Sequence, residues 1–387
     1  MFLFYGFMNN TTAQWVAIGP PGATNIYSLA ISSNNIFAGT LNFGVLLSTD
    51  NGNTWAQTPL NNQSIIALAV SGNNIFAGAN NNIGVYLSIN NGQNWTISLN
   101  NQGINSLAIN GNNIFAGTSG NGVYLSTNNG NTWTQTSLNN QWVYSLAISG
   151  NNIFAGTNFY GVYLSTNNGQ NWTQTSLNNQ WINSLAINGN NIFAGTDSSV
   201  YLSTNNGNTW TKTSLDSQYV YSLALIGNNI FAGTAGHGVF VSTDNGNMWT
   251  QRNEGLVNGV SIGSFLLTGT YLFAGTYGNS IYRRPILELI GIRQISNQVP
   301  KTFELEQNYP NPFNPLTNIK FAIPKSASVK LVVYDILGKE VATLVNESLK
   351  PGSYEISFDG SNVASGIYFY ELQAGEYTQT RKMILLK

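Results

Sequence analysis

The chain holds 387 residues with a formal net charge of −1 and no cysteine, which excludes disulfides and thiol chemistry. Residues 1–286 contain four basic side chains (Lys212, Arg252, Arg283, Arg284) and five acidic ones, too few cations for the multi-phosphate footprint of a nucleic-acid binder, while ten of each sign crowd into residues 287–387. This charge shift divides the chain into two regions, and no run approaches the roughly 18 to 20 apolar residues of a helical membrane span.

The opening MFLFYGFM is apolar but lacks a basic n-region and is short for a signal-peptide core, so residues 1–12 are expected to be an N-terminal remnant. AQWVAIG, residues 13–19, reads as a lone strand. From there NNIFAGT and its near copies set a Phe-Ala-Gly at Phe37, Phe76, Phe115, Phe154, Phe193, Phe231 and Phe273, spaced 39, 39, 39, 39, 38 and 42 residues apart. That period suits a unit of four short strands. Within residues 142–176 the runs WVYSLAI, NIFAGT, GVYLST and WTQTSL are β-rich and separated by Asn-Asn and Gly turns that would break any helix. Residues 13–286 are thus predicted to form an all-β, seven-bladed propeller of four-stranded antiparallel blades.

An octet joins the third strand of a unit to the fourth: STDNGNTW, SINNGQNW, STNNGNTW, STNNGQNW, STNNGNTW and STDNGNMW. Its third, fifth and eighth positions are Asp50, Gly52 and Trp55; Asn90, Gly92 and Trp95; Asn128, Gly130 and Trp133; Asn167, Gly169 and Trp172; Asn205, Gly207 and Trp210; and Asp244, Gly246 and Trp249. The Asp or Asn can accept turn amides, the Gly tolerates positive φ, and the Trp opens the next strand as a packing residue. The octet resembles the Asp-box (BNR) hairpin, Ser-x-Asp-x-Gly-x-x-Trp, of sialidase-like propellers, with Asn in place of Asp in four copies. The last unit offers only IGSFLL, YLFAGT and SIYRR, three strands and no octet. If residues 13–19 supply its outer strand, Trp15 falls where an octet Trp belongs and the ring closes without a seventh turn.

Residues 287–302 read as a linker, and 303–387 as a compact β-sandwich with Pro-Gly and Ala-Ser-Gly turns. The segments NYPNPFNP (308–315), YDILGKE (334–340), GIYFY (366–370) and the basic, apolar RKMILLK terminus resemble the type A C-terminal sorting domain of the type IX secretion system, which is Ig-like. The resemblance implies export across the outer membrane of a Bacteroidota-type cell, the secretion machinery as partner of residues 303–387, and a secreted or outer-surface location. A monomer is expected.

Asp-box propellers include enzymes, so chemistry has to be tested. Sialidase chemistry needs an arginine cluster drawn from several blades, whereas all three propeller arginines lie within 252–284. A glycosidase needs two carboxylates across a cleft. The weak candidates are Asp197 and Asp216, both expected on the face opposite the octets, and a solvated turn residue is the plainer account of Asp216. The single histidine, His237, makes neither a metal site nor a triad, and no metal or cofactor is expected. The position opening each first strand varies while its surroundings do not: Ser64, Gly103, Trp142, Trp181, Tyr219. Trp142, Trp181 and Tyr219 are the candidate binding residues at the channel mouth, for a glycan or a surface protein, unless they pack on neighbouring loops. The reading is a non-enzymatic binding or scaffold propeller; the alternative is an extracellular glycoside hydrolase.

Overall fold

The computed structural model describes residues 14–387 except 21, 24, 297, 361 and 362. The remnant expected over residues 1–12 lies outside the described residues. Seven four-stranded antiparallel sheets follow one another as blades, with inner strands Ile26–Ser32, Ile65–Ser71, Ile104–Asn110, Val143–Ser149, Ile182–Asn188, Val220–Ile226 and Ser261–Leu267 for blades 1 to 7. Each inner strand contacts the next around the ring, and that of blade 7 returns to that of blade 1.

The NIFAGT strands lie second in each blade, covered on both faces by neighbouring blades. Their Phe residues, from Phe37 to Phe273, are at most 1% exposed. Six of them share a buried cluster with the octet Trp of the following blade: Phe37 with Trp95, Phe76 with Trp133, Phe115 with Trp172, Phe154 with Trp210, Phe193 with Trp249, and Phe273 with Trp55. The repeated Phe and Trp are therefore one inter-blade joint written twice per period.

The six octet turns share one hydrogen-bond scheme. In the third, the Ser126 hydroxyl donates to Asn128 Oδ1 (3.0 Å) and accepts from Gly130 N (2.9 Å), while Asn128 Oδ1 also accepts from Thr132 N (2.9 Å). Asp50 makes the same contacts with Ser48 and Thr54. Gly130 has φ +83°, and a Cβ there would lie 2.7 Å from Phe76 Cε1, so both backbone and packing demand glycine.

Blade 7 takes its outer strand from the other end of the chain. Val16 pairs with Arg283 and Ala17 with Tyr282, the register by which Thr134 pairs with Leu125 and Gln135 with Tyr124. Trp15 thus occupies the octet Trp position, is 2% exposed, clusters with Phe231 and donates its indole N–H to Arg252 O (2.7 Å). Arg284, buried in the slot of the octet Ser, is held by Glu254 at 2.7 Å.

The C-terminal β-sandwich has two sheets. One orders Ile292–Ser296, Gly352–Asp359, Leu316–Ile323 and Glu304–Leu305; the other orders Glu340–Leu349, Ala327–Tyr334, Gly366–Ala374 and Tyr377–Leu385. The stretch expected as a linker, 287–302, departs from that expectation. It follows on from a short helix at Ile286–Leu289, and Ile292–Ser296 pairs with Gly352–Asp359 as an edge strand of the sandwich. The reason is apolar: Ile286, Leu289, Ile290 and Ile292 are all buried. Asn308 of the NYPNPFNP segment is 2% exposed and ties it down by donating to Pro310 O (3.1 Å) and Thr317 Oγ1 (2.9 Å).

The sandwich rests on the octet side of blade 6. There Glu347 hydrogen-bonds Asn229, and Asn229 is buried although the equivalent Asn35, Asn74 and Asn113 are half-buried. A cleft of about 540 Å³ remains between the blade 6 octet and strands Glu340–Leu349 and Gly352–Asp359. Among the described residues, the sandwich meets the propeller on this side.

Candidate binding site at the channel mouth

At the mouth, every inner strand begins with a β-bulge. The ladder skips one residue per blade: Tyr27, Ile66, Asn105, Tyr144, Asn183, Tyr221 and Gly263. A bulge re-aims the extra side chain without moving the strand, so a near-perfect repeat can vary there at little cost.

The bulged tyrosines combine with the strand-opening aromatics into two ring chains. In the first, Trp142 meets Tyr144 (centroids 6.4 Å apart), Tyr144 meets Trp181 (5.6 Å) and Trp181 meets Phe159 (5.3 Å), which joins blades 4 and 5. In the second, Tyr219 meets Tyr221 (4.8 Å), Tyr221 meets Tyr277 (5.2 Å) and Tyr277 meets Tyr27 (5.2 Å), which joins blades 6, 7 and 1. Gly263 makes the last joint possible, since a Cβ there would lie 2.5 Å from Tyr277 Cζ. Asn183 of blade 5 anchors the second chain by accepting from the Tyr219 hydroxyl (3.4 Å) and donating to Val220 O (3.2 Å).

The three strand-opening aromatics differ in exposure. Trp142 is 48% exposed, whereas Trp181 and Tyr219 are half-buried. Desolvation, above all, raises the phenol pKa of Tyr144, Tyr219 and Tyr277, so these hydroxyls stay protonated donors at physiological pH. Around the rings lie buried polar atoms without a protein partner among the described residues: Asn105 Nδ2, Asn158 Oδ1, Trp181 Nε1 and Gln218 Oε1. Two donate and two accept, and a buried polar atom left unpaired costs free energy that a bound hydroxyl or water would recover.

Asp197 and Asp216 are differently placed. Asp216 lies on the outer strand of blade 5, where Lys212 bonds its carboxylate and holds its pKa below the ordinary value, the opposite of what a general acid requires. Asp197 is exposed at the mouth, where it directly follows Thr196, whose strand partner Ile182 directly follows Trp181. His237 is exposed, and its carbonyl accepts from Gln251 and Asn253. Among the described residues no group of three or more His, Cys, Asp or Glu is arranged to hold a metal ion. Tyr27, Tyr144, Phe159, Tyr221 and Tyr277 were not among the expected site residues. For Tyr27, Tyr144 and Tyr221 a signal was available, because the position after each buried Ile or Val varies from Tyr27 to Gly263 inside an otherwise constant frame.

Comparison with known proteins finds matches within both regions. Residues 307–386 match the secretion system C-terminal sorting domain. The chain ends in a type IX sorting domain. It is accordingly a secreted or outer-surface protein, and the sorting domain is the part that engages the secretion machinery. Residues 153–261 match the DUF6242 beta propeller domain. No curated protein matches the chain. Among solved structures, YCF48 from Cyanidioschyzon merolae is similar at 15% identity and TM-score 0.59, covering 71% of this chain and 99% of its own. YCF48 bound to D1 peptide is similar at 15% identity and TM-score 0.59, over 70% of this chain and 96% of its own. The WD40 propeller domain of Doa1 matches at 13% identity and TM-score 0.56, over 70% and 96%. At these identities the likeness is one of fold. Among the described residues no helix is long and apolar enough to cross a membrane.

Proposed function

We propose that this protein is an exported, non-enzymatic binding propeller whose channel mouth takes a glycan. The observation that carries the reading is the aromatic crescent of blades 4 to 7 and 1, in which ring faces sit beside buried amide and indole atoms that lack partners. Sugar rings need that combination, because their C–H faces stack while their hydroxyls hydrogen-bond. Trp142, Trp181 and Tyr219 form the outer rim of this site; Tyr144, Tyr221, Tyr277 and Tyr27 form its floor. The octets act as Asp boxes in a purely structural sense, with Asn serving where the acid is missing.

A hydrolase reading is disfavoured by Asp216, whose carboxylate is engaged by Lys212. The deciding experiment screens the full chain on an oligosaccharide array and a panel of surface-protein peptides, with hydrolysis of the bound glycans assayed in parallel. The peptide arm is warranted because a propeller of similar fold binds one. Glycan capture without turnover is expected. Turnover abolished by the Asp197→Asn, Asp216→Asn double variant, or capture of peptides alone, would overturn the proposal.

A further inference from the structure

Charge is unevenly distributed around the mouth. Every described propeller cation is committed elsewhere. Lys212 bonds Asp216, Arg252 donates to Leu289 O (3.2 Å), Arg283 donates to Asn51 O (2.6 Å) and covers the Tyr271 ring, and Arg284 is paired with Glu254. Asp197, by contrast, is exposed and has no hydrogen bond or ion pair among the described residues. The backbone fixes its place: Asp197 directly follows Thr196, whose strand partner Ile182 directly follows Trp181, and Gln218 N donates to Ser198 O (3.3 Å), which ties its loop to Tyr219. Its charge reaches the Tyr219 phenol, whose pKa is raised chiefly by desolvation and further by Asp197 among its neighbours. An exposed carboxylate therefore stands on the mouth loop that joins Trp181 and Tyr219, with no ion-paired cation among the described residues.

We infer that the mouth discriminates saccharides by charge, preferring an amine-bearing sugar to a neutral one and rejecting uronic acids, with Asp197 as the specificity-determining residue. This rests on the glycan reading above. An ammonium beside Asp197 gains an ion pair together with the neighbouring aromatic rim of the mouth, two contributions that combine to about a tenfold preference at an exposed site. A sugar carboxylate at the same spot meets like charge with no arginine to bridge it. A neutral sugar gains the stacking and hydroxyl contacts alone.

The test uses three hexamers on one β-1,4-pyranose backbone, cellohexaose, chitosan hexamer and cellouronate hexamer, titrated into the full chain by calorimetry in mildly acidic buffer, where the amines are charged. The expected order is chitosan tightest and cellouronate weakest, with the spread narrowing as salt is added. Asp197→Asn should bring chitosan and cellohexaose to within about twofold of each other without changing the melting temperature, and Asp197→Glu should restore the order. Equal affinities in the wild type, or an order that survives Asp197→Asn, would refute the charge filter while leaving glycan binding standing. Failure of all three hexamers to bind would remove the glycan reading on this backbone, and this inference with it.

Discussion

In each octet turn one side-chain oxygen accepts two hydrogen bonds, from the Ser hydroxyl two residues back and the amide four residues on, and Asn128 offers that oxygen as well as Asp50 does. Asn128→Asp should therefore leave stability within about 0.5 kcal/mol, whereas Asn128→Ala, which removes the acceptor, should cost about 1 kcal/mol by urea denaturation. The mouth aromatics divide by burial. Trp142→Ala should change stability by less than about 1 kcal/mol, but Trp181→Ala, which empties a slot between Tyr144 and Phe159, should cost about 2 kcal/mol. Equal thermal shifts in the two variants would show that exposure is not what separates them. Trp142, Trp181 and Tyr219 were legible because they break a repeat at one position. Tyr277 was not, since its place beside Gly263 depends on a contact between strands that the linear pattern does not display.

At the scale of the element, ring closure is the feature most open to attack. Removing residues 1–19 deletes the strand paired with Arg283 and Tyr282 and takes Trp15 from its site against Phe231. Loss of a buried Trp alone costs about 3 to 5 kcal/mol, and the unpaired edge of Ile281–Pro285 becomes a template for association. The deletion variant should melt lower and aggregate on heating, as followed by circular dichroism and light scattering; an unchanged melt would deny the closing strand its role. The sequence pattern made this closure visible through a missing octet and a stray Trp. It did not reveal that Ile292–Ser296 is a sandwich strand, because a short run whose partner lies about 60 residues downstream carries no local sign of pairing.

At the scale of the whole molecule, the sorting domain meets the propeller on the octet side of blade 6, so the proposed ligand site at the mouth would not share a surface with it. The seat should respond to pH. Burial against the propeller pushes the Glu347 carboxyl from its ordinary 4.5 up to about 7, against the lowering effect of its bond to Asn229. Because the seated value is raised, the seat favours the protonated acid: its full contribution is present below about 4.5 and is lost as pH rises through about 7. Hydrogen exchange of the Ile226–Asn229 amides should quicken between pH 5 and pH 8 beyond the intrinsic trend, and Glu347→Gln should abolish that excess. The central claim, that the mouth is where this exported propeller binds, is tested most directly by titrating the tightest array-selected glycan into the full chain, the Trp142→Ala, Trp181→Ala double variant, and a Met248→Ala variant altered on the octet side. The account predicts affinity at least about tenfold weaker in the mouth variant and unchanged in Met248→Ala; undiminished binding by the mouth variant would contradict it.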